Sequence, residues 1–172
     1  MQKQENNFAF IDSQNIHKGV NDLGWNLDWK RFRIYLKEKY GIKQAFLFIG
    51  YIKGNKELYS QLKKAGFNLE FKPVLPDKLG KPKGNIDADL VLKTILNYDN
   101  FDKAVIISSD GDFYSLVEYL YNKKKLKVVL SPHTKTCSFL LKKTAKEKII
   151  YMNNLKNKIG IKRKSTATRQ NR

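Results

Sequence analysis

The amino-acid sequence predicts an α/β protein, a three-layer α/β/α sandwich with a mainly parallel central sheet. Short apolar runs alternate along the chain with longer amphipathic segments. Such alternation is typical of strand–helix–strand units, which are joined by right-handed crossovers and build a parallel sheet between two layers of helices. Three of the runs are almost continuously apolar, as expected for strands that are buried on both faces.

Five runs are predicted strands, and five segments are predicted helices. The strands are NFAFID (7–12), AFLFIGYI (45–52), LEFKPV (69–74), AVIISS (104–109) and LKVVLS (126–131). The helices cover residues 28–41, 55–66, 85–98, 112–123 and 135–148. In the first helix Asp28 is a candidate N-cap and Gly41 a stop signal, and Gly66 ends the second helix. Because no internal repeat is present, we predict one domain over residues 1–158 and a flexible basic tail over residues 159–172.

The composition indicates a globular protein with a polyanionic partner. Of the 172 residues 41% are hydrophobic, which is enough for a single sizeable core. The 34 Lys and Arg residues outnumber the 16 Asp and Glu residues, so the net charge is +18. Such an excess favours nucleic acid over an anionic membrane surface as the partner.

Positive charge is concentrated near the C-terminus. Residues 142–172 carry eleven basic residues and one acidic residue. The last part of this segment has too little apolar content to offset the entropy lost on ordering. It is therefore either a solvated tail or an arm that binds nucleic acid.

The cellular compartment is predicted from what the sequence lacks. No apolar run approaches the roughly 20 residues of a membrane span, and the first residues lack the apolar core of a signal peptide. The single Cys137 cannot form an internal disulfide and is predicted to be a small core residue. We therefore expect a cytoplasmic protein without a membrane partner.

Acidic residues follow two of the predicted strands. Asp12 ends the first strand, and Asp110 and Asp112 follow the fourth. Ligands of open parallel sheets bind beyond the carboxyl ends of the strands, so these acids converge if the two strands are neighbours. Asp87 and Asp89 begin a helix that points toward the same end.

Carboxylates that meet in this way repel one another unless a cation lies between them. Hard oxygen ligands fit Mg²⁺ or Mn²⁺. The two histidines, His17 and His133, and the one cysteine lack the spacing of a zinc site and are predicted to be structural or surface residues.

Each of these polar residues also has a structural interpretation. Asp12 is a candidate cap for a following helix, Asp112 for the helix that begins at Phe113, and Asn15 for a turn. Asp87 and Asp89 suit the first turn of a helix because of its dipole. The occurrence of acids in three segments that share one edge nevertheless favours a metal site.

Three sequence blocks resemble those of NYN domains, in particular the LabA-like bacterial branch of the PIN-like nuclease superfamily. They are FIDSQNI (10–16), KGNIDADL (83–90) and VIISSDGDF (105–113), and the resemblance extends over about residues 7–155. It implies a parallel sheet flanked by helices and a metal-dependent ribonuclease. It also implies that acids of these blocks bind Mg²⁺ or Mn²⁺.

The resemblance implies a set of site residues. Its catalytic positions are Asp12, Asn15, Asp87, Asp110 and Asp112, and the four aspartates among them are the metal ligands. Two departures stand out. Many relatives have a further acid where this chain has Lys93, a loss for which Asp89 is a candidate replacement, and Ser109 replaces a glycine.

Other side chains are candidates for binding the substrate. Ser109, Lys81, Lys83 and Lys135 are predicted to contact phosphates. Tyr51, Tyr59 and Tyr114 are candidates for stacking on unpaired bases. The resemblance favours RNA, single-stranded or structured, as the substrate, and DNA remains an alternative.

Three alternative functions remain open at this point. The first is a nucleic-acid-binding module whose metal site is degenerate because of Lys93. The second is a DNA nuclease of the same superfamily. The third is a phosphohydrolase of the haloacid dehalogenase type, which expects an aspartate where this chain has Gln14. The resemblance also leaves a homodimer open.

Overall fold

The fold is described by a computed structural model, which covers residues 5–73, 75–76, 82–83 and 86–162. Within these residues, six strands form a parallel sheet in the order β3-β2-β1-β6-β7-β8. These strands are β1 (Asn7–Asp12), β2 (Ile42–Tyr51), β3 (Asn68–Pro73), β6 (Ala104–Ile107), β7 (Leu126–Ser131) and β8 (Ile149–Tyr151). The short strands β4 (Leu75–Pro76) and β5 (Pro82–Lys83) form a separate antiparallel pair. The predicted fold class is confirmed.

Helices cover both faces of the sheet. They are α1 (Ser13–Asp22), α2 (Trp29–Tyr40), α3 (Lys56–Lys64), α4 (Asp87–Leu96), α5 (Tyr114–Asn122), α6 (Phe139–Ala145) and α7 (Lys156–Ile159). Helices α1, α2, α3 and α7 contribute to one apolar core layer, and α4, α5 and α6 to the other. None of the helices in the described residues is long and apolar enough to cross a membrane.

Strand β1 lies at the centre and supplies both core layers. Its side chains alternate between the faces, so Ala9 and Ile11 enter one layer and Phe8 and Phe10 the other. The ring of Phe10 stacks on that of Phe46 in the neighbouring strand, with centroids 5.4 Å apart. This burial on both faces explains the continuous apolar character of the β1 sequence.

The predicted signals at the ends of helix α2 are confirmed. The Asp28 carboxylate accepts a hydrogen bond of 3.0 Å from the Arg31 amide, which identifies it as the N-cap. Gly41 adopts a left-handed conformation with φ of 66° immediately after the helix.

Two helices, α1 and α7, and three short strands, β4, β5 and β8, were not predicted. Helix α1 buries only Ile16 and Val20 as large apolar side chains, and Gly19 lets it approach Pro132 so closely that a Cβ would lie 2.4 Å from the proline Cβ. Strand β8 has three residues and lies at the sheet edge. The helix predicted over residues 135–148 is shorter in the structure, where α6 covers only Phe139–Ala145. A loop precedes α6, and a 3₁₀ turn and β8 follow it.

Contacts with the body of the protein continue beyond the predicted domain boundary at residue 158. Ile159 is fully buried, and its carbonyl accepts a hydrogen bond of 2.8 Å from the Asp28 amide. The Ile161 amide donates to the Asn26 carbonyl over 2.9 Å. Most of the predicted tail, residues 163–172, lies outside the described residues.

Candidate active site

Acidic side chains from three segments meet at the carboxyl edge of the sheet, the edge at which the parallel strands end. Strands β1 and β6 are neighbours, and Ile11 lies beside Ile107. Asp12, at the end of β1, therefore lies next to the turn of residues 108–112 that follows β6. Asp87 begins helix α4, which packs against β1 through Leu90 and reaches the same edge.

The carboxylates of Asp87, Asp110 and Asp112 form a cluster. Each offers one oxygen, and these oxygens lie within 4.8 Å of one another. Asp87 and Asp110 are partly buried, and Asp112 is exposed. This is the one group of three or more Asp, Glu, His or Cys side chains at such distances in the described part of the chain. Its oxygen-only donors fit a hard divalent cation such as Mg²⁺ or Mn²⁺.

Asp12 lies deeper than the cluster and is 5% exposed. Its Oδ1 accepts a hydrogen bond of 3.0 Å from the Asn15 amide, so it caps α1. Its Oδ2 accepts from the Ser108 hydroxyl over 3.3 Å. Burial raises the pKa of the Asp12 carboxyl from 3.8 to about 6, and the charges of Asp87 and Asp110 add to this increase. A cation nearby would oppose the increase, because it favours the ionised carboxylate.

Hydrogen bonds hold the turn that carries Asp110 and Asp112. The Ser109 amide donates to Asn15 Oδ1 over 2.7 Å, which ties the turn to α1. The Asp110 amide donates to Ser108 Oγ over 3.1 Å. The Asp112 amide donates to Asp110 Oδ1 over 3.0 Å. The positions of the two aspartates are thus fixed by neighbouring side chains.

The start of helix α6 closes one side of this turn. The Ser138 amide donates to the Ser109 carbonyl over 3.0 Å. A Cβ on Gly111 would lie 2.5 Å from Ser138 Oγ, so only glycine fits at this position without a shift. The hydroxyls of Ser109 and Ser131 lie 2.9 Å apart in the buried wall behind the turn.

Two open clefts adjoin the acids, with volumes of about 370 and 300 Å³. Asn15, Lys18 and Asp110 line both of them. Asp12 and Asp87 line the larger cleft, on the α4 side of Asp110. Together the clefts form a polar depression in which an exposed lysine faces a group of carboxylates.

Lys18 and Ser108 belong to the candidate site but were not predicted from the sequence. Lys18 lies one helical turn after Asn15, so its position follows once α1 is recognised as a helix. Ser108 is fully buried, and its hydroxyl bonds both Asp12 and the Asp110 amide. The signal for Ser108 was a small hydroxyl residue between an apolar strand and two aspartates.

Asp89 and Lys93 belong to a different surface of α4. Asp89 Oδ2 lies 3.5 Å from the Lys72 ammonium. The Lys93 ammonium lies 2.7 Å from Glu70 Oε1, and 5.1 Å from the centroid of the Phe46 ring. Asp89 therefore lies outside the acidic cluster, so it does not take the compensating role for which it was a candidate.

One predicted cap is wrong. Asp112 does not cap a helix that begins at Phe113, because residues Gly111–Phe113 form a 3₁₀ turn whose N-cap is Asp110. Helix α5 begins at Tyr114, without a side-chain cap. Asp112 is thereby exposed beside the cluster.

The predicted substrate contacts lie in several places. Lys81 is outside the described residues, and only the backbone of Lys83 is described, in β5. Lys135 is exposed, and its amide donates to His133 Nδ1 over 2.9 Å. Tyr59 is not a stacking candidate, because it is only 6% exposed and its hydroxyl accepts from the Ile52 amide over 2.7 Å.

The two histidines are outside both clefts. His17 Nε2 hydrogen-bonds with Asn21 Nδ2 over 3.0 Å, and His133 is 8% exposed. Cys137 is buried, as predicted.

Comparison with known proteins relates the chain to a family and to one solved structure. The sequence matches the NYN domain family over residues 8–153. A search of curated proteins gives no match. A protein of unknown function from Vibrio parahaemolyticus has a similar crystal structure, with a TM-score of 0.76 and 19% sequence identity. The similarity covers 94% of this chain and 99% of that one, and at this identity it bears on the fold alone.

Proposed function

The chain belongs to the NYN domain family, which is part of the PIN-like nuclease superfamily, and on this basis we propose that it is a metal-dependent ribonuclease. It would hydrolyse phosphodiester bonds of RNA with Mg²⁺ or Mn²⁺. The observation that carries the proposal is the cluster of Asp87, Asp110 and Asp112, whose carboxylate oxygens lie within 4.8 Å of one another. The excess of positive charge supports a polyanionic substrate.

Asp87, Asp110 and Asp112 would hold the cation, with Asp12 as the fourth ligand proposed from the family pattern. When bound, such a cation supplies Lewis-acid activation of the attacking water and stabilises negative charge on the leaving oxygen. Water would attack phosphorus and lose one proton to solvent, the bond from phosphorus to the leaving sugar oxygen would break, and that oxygen would take up a proton from solvent. This chemistry requires no histidine base.

The other residues of the clefts would position the substrate and the acids. Lys18 lines both clefts and is exposed, so we assign it to the phosphate that enters the site. Asn15 and Ser109 bond each other, and the Ser109 hydroxyl also bonds Ser131. We therefore assign these two residues to positioning the turn, in place of the direct phosphate contact that the sequence suggests for Ser109.

The test is cleavage of a labelled single-stranded RNA, and of a DNA with the same sequence, in Mg²⁺, Mn²⁺ or EDTA. The informative variant is Asp110→Asn, because asparagine also caps a helical turn and keeps the shape of the side chain. Loss of a residue that only hydrogen-bonds to a metal ligand lowers activity roughly 10- to 100-fold. Loss of the ligand itself is expected to lower the cleavage rate by more than that. Asp89→Asn is the matched control, since Asp89 lies on α4 outside the cluster.

Metal-dependent cleavage of RNA by the wild type and by Asp89→Asn, lost in EDTA and in Asp110→Asn, is the expected result. Binding of RNA without cleavage in either metal would contradict the proposal. That result would favour the nucleic-acid-binding module, with the lysine at position 93 as the first difference to reverse. Cleavage of the DNA alone would instead favour a DNA nuclease.

A further inference from the structure

Phe139 is the most exposed of the large hydrophobic side chains in the described residues, with 76% of its surface accessible. It is the first residue of α6, and its ring is absent from the core layer to which Leu141 of the same helix contributes. Single exposed apolar residues are common on protein surfaces. Phe139 differs from them because the preceding residue lines the acidic cleft and two lysines follow it on the same helix.

The backbone next to Phe139 is fixed beside the acidic cluster. Its neighbour Ser138 lines the smaller cleft together with Asp110. The Ser138 amide bonds the Ser109 carbonyl over 3.0 Å, and its hydroxyl lies against Gly111. Since consecutive Cα atoms are about 3.8 Å apart, Phe139 begins one residue from the cleft wall.

The residues just before Phe139 line the smaller cleft. Thr136 and Ser138 both contribute to its wall, and Phe139 is the next residue after Ser138. Because Phe139 is the first residue of α6 and its side chain is largely exposed, its ring is accessible from solvent one residue from that wall.

Positive charge accompanies the ring. Lys142 and Lys143 follow Phe139 by three and four residues, the spacing at which helical side chains share a face. Helix α6 contains no acidic residue, and neither lysine takes part in the ion pairs formed within the described residues. Lys18 lines the same smaller cleft. An exposed ring with lysines on its own helix and in the adjoining cleft suits a base whose flanking phosphates are neutralised.

We propose that Phe139 is a stacking platform for an unpaired nucleobase adjacent to the phosphodiester that enters the acidic cleft. The proposal rests on the proposed function and narrows it to single-stranded nucleic acid. In a duplex the bases stack on each other inside the helix and present no free face to the ring. An unpaired base presents its face whatever its identity, so the preference is for single strands and not for a sequence.

The test is equilibrium binding in EDTA, where metal-dependent cleavage is prevented. Fluorescence anisotropy would be measured with a short labelled single-stranded RNA and with a duplex of the same sequence, over a series of salt concentrations. The variants are Phe139→Ala, Phe139→Trp and the control Leu96→Ala. Leu96 is 69% exposed at the end of α4, so its truncation removes a comparable exposed apolar side chain. None of these changes opens a cavity in the core.

We expect Phe139→Ala to weaken single-strand binding about tenfold, within the range for loss of one stacked base. Phe139→Trp should keep wild-type affinity, and Leu96→Ala should do the same. The affinity of Phe139→Ala for the duplex should match that of the wild type. The dependence of affinity on salt should not change, because no charge is removed.

Equal single-strand affinity of Phe139→Ala and the wild type would overturn the proposal, and so would an equal loss for single strand and duplex. Conversion of a dimer to a monomer in sedimentation, with affinity unchanged, would also overturn it and assign the ring to a protein interface. If one of these results is found while Asp110→Asn still abolishes RNA cleavage, the stacking role of Phe139 is wrong and the ribonuclease assignment stands. If the wild type binds neither strand, the ribonuclease assignment fails with it.

Discussion

Carboxylates have opposite environments at the amino and carboxyl edges of the central sheet, where the parallel strands begin and end. At the amino edge, where the strands begin, Glu5 lies 2.9 Å from the Lys103 ammonium and 2.6 Å from that of Lys127. Hydrogen bonds from Lys127, Asn7 and Lys103 lower the pKa of the Glu5 carboxyl from 4.5 to about 2. At the carboxyl edge, by contrast, the pKa of Asp12 is raised to about 6.

The two environments differ in whether the chain itself supplies cations to the carboxylate. Glu5 is surrounded by cations of the chain itself and ties the start of β1 to β6 and β7. None of the ion pairs within the described residues involves Asp12, Asp110 or Asp112. The proposed function assigns these acids, which are grouped with one another on a chain with a net charge of +18, to a divalent cation from solution. The comparison predicts that substitutions at the two edges affect different measurements.

A lysine from each edge provides the largest contrast. Lys18→Ala should weaken RNA binding several-fold, at most about tenfold, and reduce the salt dependence by roughly one phosphate contact. It should leave the free energy of unfolding unchanged, because Lys18 is exposed. Lys127→Ala should lower the free energy of unfolding and leave RNA binding unchanged, since Lys127 pairs with Glu5. Anisotropy titrations and urea denaturation of both variants check this, and loss of RNA affinity in Lys127→Ala alone would contradict it.

Glu5→Gln should produce a smaller effect, on stability only. Surface ion pairs contribute about 0.2–1 kcal/mol each, and the Glu5 side chain is 36% exposed, so we expect a loss of about 1 kcal/mol at low salt. Because folding lowers the pKa of Glu5 from 4.5 to about 2, its contribution is complete above pH 4.5 and disappears as the pH falls toward 2.

Urea denaturation of the wild type and Glu5→Gln between pH 7 and pH 2 measures that contribution. The two free energies of unfolding should differ at pH 7 and converge at low pH. Added salt should reduce the difference at pH 7. A difference that persists unchanged at pH 2 would show that Glu5 acts through packing instead of charge.

The sheet and the meeting of the acids were predictable from local patterns. Strands β1 and β7 have the predicted bounds because each is a mainly apolar segment that ends in a polar residue. Asp12 and Asp110 meet because their strands are neighbours, and parallel strands end at a common edge. The capping role of Asp12, one of its two interpretations, is also observed.

The parts that escaped prediction depend on contacts between distant segments. Helix α1 has few large apolar residues and is held against the loop after β7 through Gly19 and Pro132. Without α1, Lys18 could not be placed in the cleft. Strand β8 is too short to show a pattern, and its partner is β7, about twenty residues earlier in the chain. Helix α6 begins at Phe139, later than its amphipathic pattern indicates, because the preceding residues form a loop.

Calorimetric titration of the metal-free protein with Mn²⁺ tests most directly the central claim that the acids of the carboxyl edge are grouped to hold a divalent cation. Wild type, Asp87→Asn and Asp89→Asn form the series, because the two aspartates lie two residues apart on α4 and only Asp87 belongs to the cluster. We predict binding by the wild type and Asp89→Asn and its loss in Asp87→Asn. Equal binding by all three proteins, or no binding by the wild type, would contradict the account.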